Sequence, residues 1–404
     1  MWDTIRSVVR FKPVETDPVA RRLAKAANVH DLRRMAKRRL PGGVFDYIDG
    51  GAEDEVTLER NSLAFAELEW VPRVLRNVQA IDPATTLLGR RHPMPLVLAP
   101  TGFTRIADSQ GELAVARAAE RAGLTYSLST MGTRSIEEVA EVSDGPKWFQ
   151  VYVWKDRGLV AELLGRAKAA GFEAIIITVD LAVLGRRERD VRRGFELPPK
   201  IGPSTIIDGI VHPGWTWDFV RADPITFSSV VGQHDIDGST AVSLADHAHQ
   251  QFDQSLSWAD IAWFRQQWDG PIVIKGVQSV ADAEIAVEHG IEAVALSNHG
   301  GRQLDQAPVP LELLDPVLQA VGGETEVIVD GGIRRGSDIV KAMCLGASAC
   351  MAGRAYLYGL GAAGERGVDH VLGLLRADME RAMALVGATT IDDLSPDLVR
   401  WRSG

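Results

Sequence analysis

The sequence predicts an α/β fold, a TIM (β/α)8 barrel with an N-terminal helical extension and a long insertion after strand four. Three observations predict it. From about residue 95 the chain repeats one unit: a short apolar run, a polar cluster, then an amphipathic stretch. The unit occurs eight times, the count of that barrel. Each apolar run is also followed at once by hydrogen-bonding or charged residues, where barrel enzymes keep their chemistry. The recurrence is one of pattern only, without sequence repeat or low-complexity tract.

The elements follow in order. Residues 1 to about 28 are polar and read as an irregular arm. Residues 29–90 carry short helical patterns, among them Val29–Arg39 and the segment around Phe45-Asp46-Tyr47. Residues 1–90 thus form an arm and a helical extension packing on a barrel of residues 91–404. Apolar, β-branched runs predict strands at Leu96–Ala99, Tyr126–Leu128, Trp148–Val151, Ala174–Val179, Ile272–Ile274, Ala293–Leu296, Glu326–Val329 and Ala349–Ala352. Helical periodicity follows at 110–122, 135–142, 157–170, 259–268, 279–289, 310–321, 336–345 and 366–386. The connection between strands four and five is anomalously long and holds Trp215, Trp217, Phe219 and Phe227. Residues 181–257 therefore read as an inserted, lid-like connection.

Composition narrows the function. The chain has 404 residues, 46% hydrophobic and 24% charged, ordinary for a globular enzyme. A net charge of -10 argues against a nucleic-acid partner. Cys344 and Cys350 form no CxxC pair, and no metal-ligand spacing stands out, so no metal is expected. No apolar run reaches the ~18 residues of a spanning helix, and Met1-Trp2-Asp3-Thr4-Ile5-Arg6 lacks a signal-peptide apolar region. The expected location is cytoplasmic, with contact at a membrane surface left open.

The strand ends carry the chemistry. After the sixth strand comes Ser297-Asn298-His299-Gly300-Gly301-Arg302-Gln303-Leu304-Asp305, which puts a base three residues from a cation suited to a carboxylate. The other ends give Pro100-Thr101-Gly102, Ser129-Thr130, Gln150 with Tyr152, Thr178 with Asp180, and Lys275. The last two ends, Asp330-Gly331-Gly332-Ile333-Arg334 and Gly353-Arg354, look like a phosphate site: glycines expose backbone N–H groups and arginines add charge. Neither a Walker A nor a GxGxxG spacing occurs in a suitable place.

With SNHGGRQLD, DGGIRRG, Thr178-Val179-Asp180, LGRRE at Leu184–Glu188 and FDYIDGGAEDE at Phe45–Glu55, the chain resembles the FMN-dependent α-hydroxy acid oxidases and dehydrogenases. The resemblance runs from about residue 29 to 400. Within the family it is closest to actinobacterial L-lactate dehydrogenases. It implies FMN as cofactor and His299 as the base, with Asp180 orienting the imidazole. It implies that Arg302 and Tyr47 hold the substrate carboxylate, that Tyr152 contacts the substrate oxygen, and that Arg187 is a second cation over the site. Lys275 would sit beside the flavin edge where charge accumulates. Pro100, Thr101, Gly102, Ser129, Gln150 and Thr178 would bind the flavin ring; Asp330, Gly331, Gly332, Arg334, Gly353 and Arg354 would take the phosphate end.

The implied reaction is oxidation of a small L-2-hydroxy acid to a 2-keto acid. Met131 stands where glycolate-oxidizing members carry a tryptophan, which favours lactate over glycolate and leaves larger acids open. Gly102 stands where oxygen-reactive members often have alanine, which favours a quinone or electron-carrier acceptor over O2. No CxxCH haem motif is present. The resemblance further implies a homotetramer or octamer, and some relatives touch a membrane through the long connection. The alternatives are an oxygen-dependent oxidase, a same-family flavoenzyme for a larger hydroxy acid or a peptide, another phosphate-binding barrel enzyme, or a non-catalytic barrel.

Overall fold

The structure, a computed structural model, describes residues 15–193, 202–226 and 251–402. Residues 1–14 of the expected arm, and Phe227 of the long connection, lie outside them. The described helices and strands, in chain order, are α1 (Pro18–Leu23), α2 (Val29–Arg39), α3 (Gly42–Asp49), α4 (Val56–Glu67), β1 (Leu68–Trp70), β2 (Thr85–Leu87), β3 (Arg90–His92) and β4 (Leu96–Leu98). Then come α5 (Gly111–Arg121), β5 (Thr125–Ser129), α6 (Ile136–Glu141), β6 (Lys147–Val151), α7 (Arg157–Ala169) and β7 (Ala174–Thr178). The connection carries α8 (Glu188–Arg193), α9 (Pro203–Val211) and α10 (Pro213–Arg221), and leads to α11 (Ile261–Gln267). The chain ends with β8 (Ile272–Val277), α12 (Val280–Glu288), β9 (Ala293–Ser297), α13 (Pro310–Val321), β10 (Glu326–Asp330), α14 (Gly336–Cys344), β11 (Ala349–Ala352), α15 (Arg354–Ala363), α16 (Glu365–Val386) and β12 (Val399–Trp401).

Strands β4 to β11 close a barrel, each parallel to its neighbours, with β11 returning to β4. All eight expected strands are present, within a few residues at each end. Runs such as Ala174-Ile175-Ile176-Ile177-Thr178 are buried throughout, as parallel strands covered on both faces must be. Val97, Trp148, Ile176, Val273, Ile328 and Met351 fill the barrel interior, and Leu87 from the β2–β3 hairpin joins them. The barrel is thus a packed core, and the chemistry is left to its strand ends.

Two departures from the sequence reading have clear causes. Residues 15–28 are not wholly irregular: Asp17 accepts from Val19 N at 2.8 Å and Pro18 opens α1, so a cap and a fixed φ nucleate one short helix. Helix α15 was not foreseen, because Gly359 and Gly361 weaken its helical signal. Close packing needs at least the first: a Cβ on Gly359 would sit 2.4 Å from the Gly367 carbonyl of α16. The long connection, whose conformation the sequence reading left open, is partly helical.

That connection is docked by its polar side chains. Trp215 Nε1 donates to the Ile106 carbonyl at 2.7 Å, Asp218 accepts from Ser109 N and Oγ, and Asp208 accepts from Gly42 N. Arg105 donates to the Asp223 and Pro224 carbonyls. The outward face of α9 and α10 is apolar instead: Ile206, Ile207, Ile210, Val211, Trp217 and Val220 are each more than half exposed. Among the described residues, no helix is long and apolar enough to cross a membrane.

Candidate active site

A cavity of about 650 Å³ opens at the C-terminal ends of the barrel strands. It is lined by Tyr47, Pro100, Thr101, Gly102, Met131, Tyr152, Arg187, Lys275, His299, Arg302, Asp330, Gly331, Gly332, Arg334, Gly353 and Arg354, all expected from sequence. Its size is that of a cofactor or ligand pocket.

His299 follows β9 in a left-handed turn. His299, Gly300 and Gly301 have φ of 57, 65 and 74°. Such a backbone is strained for histidine and easy for glycine. At Gly301 a Cβ would also lie 2.6 Å from Leu58 N, so the turn needs glycine twice over. Ser297 Oγ accepts from His299 N at 3.1 Å and so helps hold the turn. His299 Nδ1 lies 2.9 Å from Asp180 Oδ1. Because Asp180 is a carboxylate, Nδ1 donates, and Nε2 is left as the acceptor. Burial disfavours the charged form of Asp180, but His299 and then Lys275 outweigh it and hold the carboxyl below its usual value. The Tyr152 hydroxyl lies 3.4 Å from Nε2.

The cations are held differently from one another. Lys275, in β8, contacts Asp330 Oδ2 at 2.7 Å and donates to Ser297 Oγ at 3.0 Å, and Ser297 donates on to Asp330. Burial works against its charge, yet Asp330 and Asp180 raise its pKa, so a buried ammonium faces the cavity. Arg302 donates to the Tyr47 carbonyl at 2.6 Å and the Gly50 carbonyl at 3.2 Å. Burial, and next the neighbouring Arg187, pull its pKa down to about 9, which leaves it cationic at neutral pH. The guanidinium carbons of Arg302 and Arg187 lie 5.0 and 5.2 Å from the Tyr47 ring centre.

At the other end Gly331, Gly332, Arg334, Gly353 and Arg354 converge. Gly353 is the N-cap of helix α15 and provides no side-chain cap, so the first N–H groups of the helix remain available to an anion. Gly332 is obligatory, since a Cβ there would sit 1.9 Å from the Asn61 carbonyl. Arg354 donates to the Ile48, Gly50 and Gly300 carbonyls, which fixes the guanidinium in the wall. An uncapped helix terminus, two arginines, a glycine cradle and a buried ammonium in one cavity fit a phosphate-bearing planar cofactor.

A profile described as FMN-dependent dehydrogenase matches residues 36–401. The chain belongs to this FMN-dependent family. An L-lactate dehydrogenase of Pectobacterium atrosepticum is 40% identical over 371 residues, covering 91% of this chain and 95% of that protein. A glycolate oxidase of Spinacia oleracea is 41% identical over 368 residues, covering 91% and 94%. A crystal structure of the monotopic membrane protein (S)-mandelate dehydrogenase aligns with TM-score 0.89 at 40% identity, covering 93% of this chain and all of that one. The family accounts for the cradle: the cofactor is FMN.

Not every expected residue reaches the cavity. Ser129, Gln150 and Thr178 form a buried row beside it: Ser129 Oγ donates to Gln150 Oε1 at 2.7 Å, and Gln150 Nε2 donates to Thr178 Oγ1 at 2.9 Å. Asp180 does not line the cavity but hydrogen-bonds His299, which does. Sequence reasoning missed the apolar lining of Ile106, Ala107, Leu181, Leu184, Val191 and Phe252, and it missed Asp190. Asp190 stands three residues after Arg187, a helical spacing that could have revealed it. No spacing signals Phe252, whose ring packs 5.1 Å from that of Tyr152.

Proposed function

We propose that the protein oxidises an L-2-hydroxy acid, with L-lactate giving pyruvate as the preferred reaction. The observation that carries the reading is one cavity wall combining the Asp180–His299 pair, the Tyr152 hydroxyl, and Arg302 beside Tyr47. Arg302, with Tyr47, takes the substrate carboxylate. Tyr152 holds the substrate hydroxyl oxygen against His299 Nε2, which removes its proton. Asp180 keeps the tautomer and stabilises the imidazolium that forms. FMN, when bound, supplies the two-electron acceptor for the α-hydrogen. Gly331, Gly332, Arg334, Gly353 and Arg354 take its phosphate end; Pro100, Thr101, Gly102 and Lys275, backed by the Ser129–Gln150–Thr178 row, take its ring. Leu181, Leu184, Arg187 and Phe252 line the cavity from residues 181–257, which supports reading that connection as a lid.

The apolar wall suits a methyl group better than a hydrogen, which favours lactate over glycolate. A second reading is a larger 2-hydroxy acid, favoured by the breadth of that wall and the thioether of Met131. We place the electrons with a quinone or carrier protein, and the enzyme at the inner face of the cell membrane, resting on α9 and α10. The support is inverted amphipathicity: polar side chains point to the barrel and isoleucine, valine and tryptophan point outward. A homotetramer or octamer belongs to the same reading through the family.

The deciding experiment is an anaerobic titration of the yellow holoenzyme with L-lactate. The proposal expects stoichiometric bleaching of the flavin band at ~450 nm. Bleaching by mandelate and not by lactate would move the substrate to the larger acids. Bleaching by neither would overturn the reading.

A further inference from the structure

Two guanidinium groups, Arg187 and Arg302, flank Tyr47 in the cavity wall, while Arg186, a third arginine of that wall, is exposed to solvent; a 2-hydroxymonocarboxylate brings one negative charge. A pocket with two unspent cations would favour a dianion. The groups around them settle the balance. Arg302 is held by two neutral carbonyls, and no carboxylate lies within ion-pair distance of it among the described residues. Arg187 Nε is 3.4 Å from Asp190 Oδ2. Asp46 is taken up by Arg193 and Arg189, Asp49 by Arg33 and Arg189, and Glu55 by Arg189. Asp180 and Asp330 are committed to His299 and Lys275. Beside Tyr47, two guanidiniums less one carboxylate leave one net positive charge, with the exposed Arg186 outside that balance.

Asp190 is an expensive way to fix a fold. It is 9% exposed, and its Oδ1 is sealed without a hydrogen-bond partner. A buried carboxylate whose role is stability is normally satisfied at both oxygens. This one has a single long ion contact, in a wall of the cavity. Burial pushes its carboxyl up, and Arg187 followed by Arg302 pull it back. Its charge therefore depends on the same two cations that face the substrate.

We propose that Asp190 is a specificity-determining residue whose carboxylate offsets Arg187, so that the cavity accepts 2-hydroxymonocarboxylates and discriminates against 2-hydroxydicarboxylates. The proposal rests on the reading that Arg302 takes the substrate carboxylate. Asp190 acts through Arg187 and needs no substrate contact. Removing its charge restores a second free cation where the far carboxylate of a dicarboxylate would lie.

The test is calorimetric titration of oxidised holoenzyme with propionate and with malonate, neither of which carries a 2-hydroxyl, so affinity is read apart from turnover. In Asp190→Asn the malonate-to-propionate affinity ratio should rise about tenfold over wild type. The Arg187→Gln/Asp190→Asn double variant should return it toward the wild-type value. Arg187→Gln alone should lower it, which reads the same balance if Asp190→Asn does not fold. The ratio of kcat/KM for L-malate to that for L-lactate should move with the affinity ratio. A ratio within twofold of wild type in Asp190→Asn, or in Arg187→Gln where that variant is the one obtained, overturns the proposal. If the wild-type flavin is reduced by no hydroxy acid, the functional reading fails while the affinity ratios still decide the role of Asp190.

Discussion

His299 donates through Nδ1 to Asp180 across 2.9 Å, and that bond leaves Nε2 as the one ring nitrogen able to accept a proton. The second oxygen of Asp180, Oδ2, is buried without a hydrogen-bond partner. Replacing Asp180 with Asn keeps the shape and removes the charge that steadies the imidazolium. The expected result is a fall in kcat of about 10²–10³, within the range general-base catalysis contributes, with little change in KM. Steady-state kinetics on L-lactate check it, and a kcat within threefold of wild type would sink the assignment.

Arg302 makes the second prediction. Its fork is pre-set by the Tyr47 and Gly50 carbonyls, so a planar, two-pronged contact is ready for a carboxylate. Lysine preserves the charge and loses that geometry. Arg302→Lys should lower kcat/KM about 100-fold while FMN content stays at the wild-type level. Equal kcat/KM in the two proteins would mean that the carboxylate binds elsewhere.

His299 and Arg302 were legible in sequence, since both follow one strand end and sit in one turn. The barrel was legible for a related reason: parallel strands buried on both faces read as unbroken apolar runs. What escaped was information that crosses the chain. Phe252 reaches Tyr152 from about a hundred residues away, and Ile106 reaches the cavity from a short 3-10 turn. Helix α15 escaped because its glycines serve neighbours that local periodicity does not register: Gly359 packs on Gly367, and Gly361 on Leu40 and Ala36.

Asp49 supplies a prediction about stability. It is 3% exposed, at the end of α3, and takes Arg33, Arg189 and the Tyr358 hydroxyl. Burial opposes its ionisation, but Arg33 and Tyr358 outweigh burial and hold the carboxyl at about 2, against 3.8 ordinarily. A depressed acid stabilises the fold above its unfolded pKa and loses that contribution as pH falls toward the folded value. Asp49→Asn should therefore cost about 2 kcal/mol at pH 7, with the gap to wild type narrowing as pH falls from 4 toward 2. Urea denaturation of both proteins across pH 3–7 checks it. A gap independent of pH would show that the lost stability comes from packing and not from charge.

The outward face of α9 and α10 makes the last prediction. Six large apolar residues, led by Val220 and Ile210 at 71% and 70% exposure, project away from a barrel that the same helices grip through Trp215, Asp218 and Asp208. A helix pair packed for stability alone would turn those residues inward, because each exposed isoleucine or valine forgoes about 1.5–3 kcal/mol of burial. Arg221, stacked 3.9 Å over Trp217, adds a cation beside an aromatic ring, a pairing suited to a headgroup layer. The wild-type protein should therefore sediment with vesicles containing anionic phospholipid. Ile210→Glu/Val220→Glu should lower that partitioning at least tenfold while leaving lactate turnover with a soluble dye acceptor unchanged, because neither side chain lines the cavity. Turnover with a vesicle-borne quinone should fall in the double variant in proportion to the lost binding. Equal sedimentation of the two proteins would assign this face to another occupant, such as a second copy of the chain.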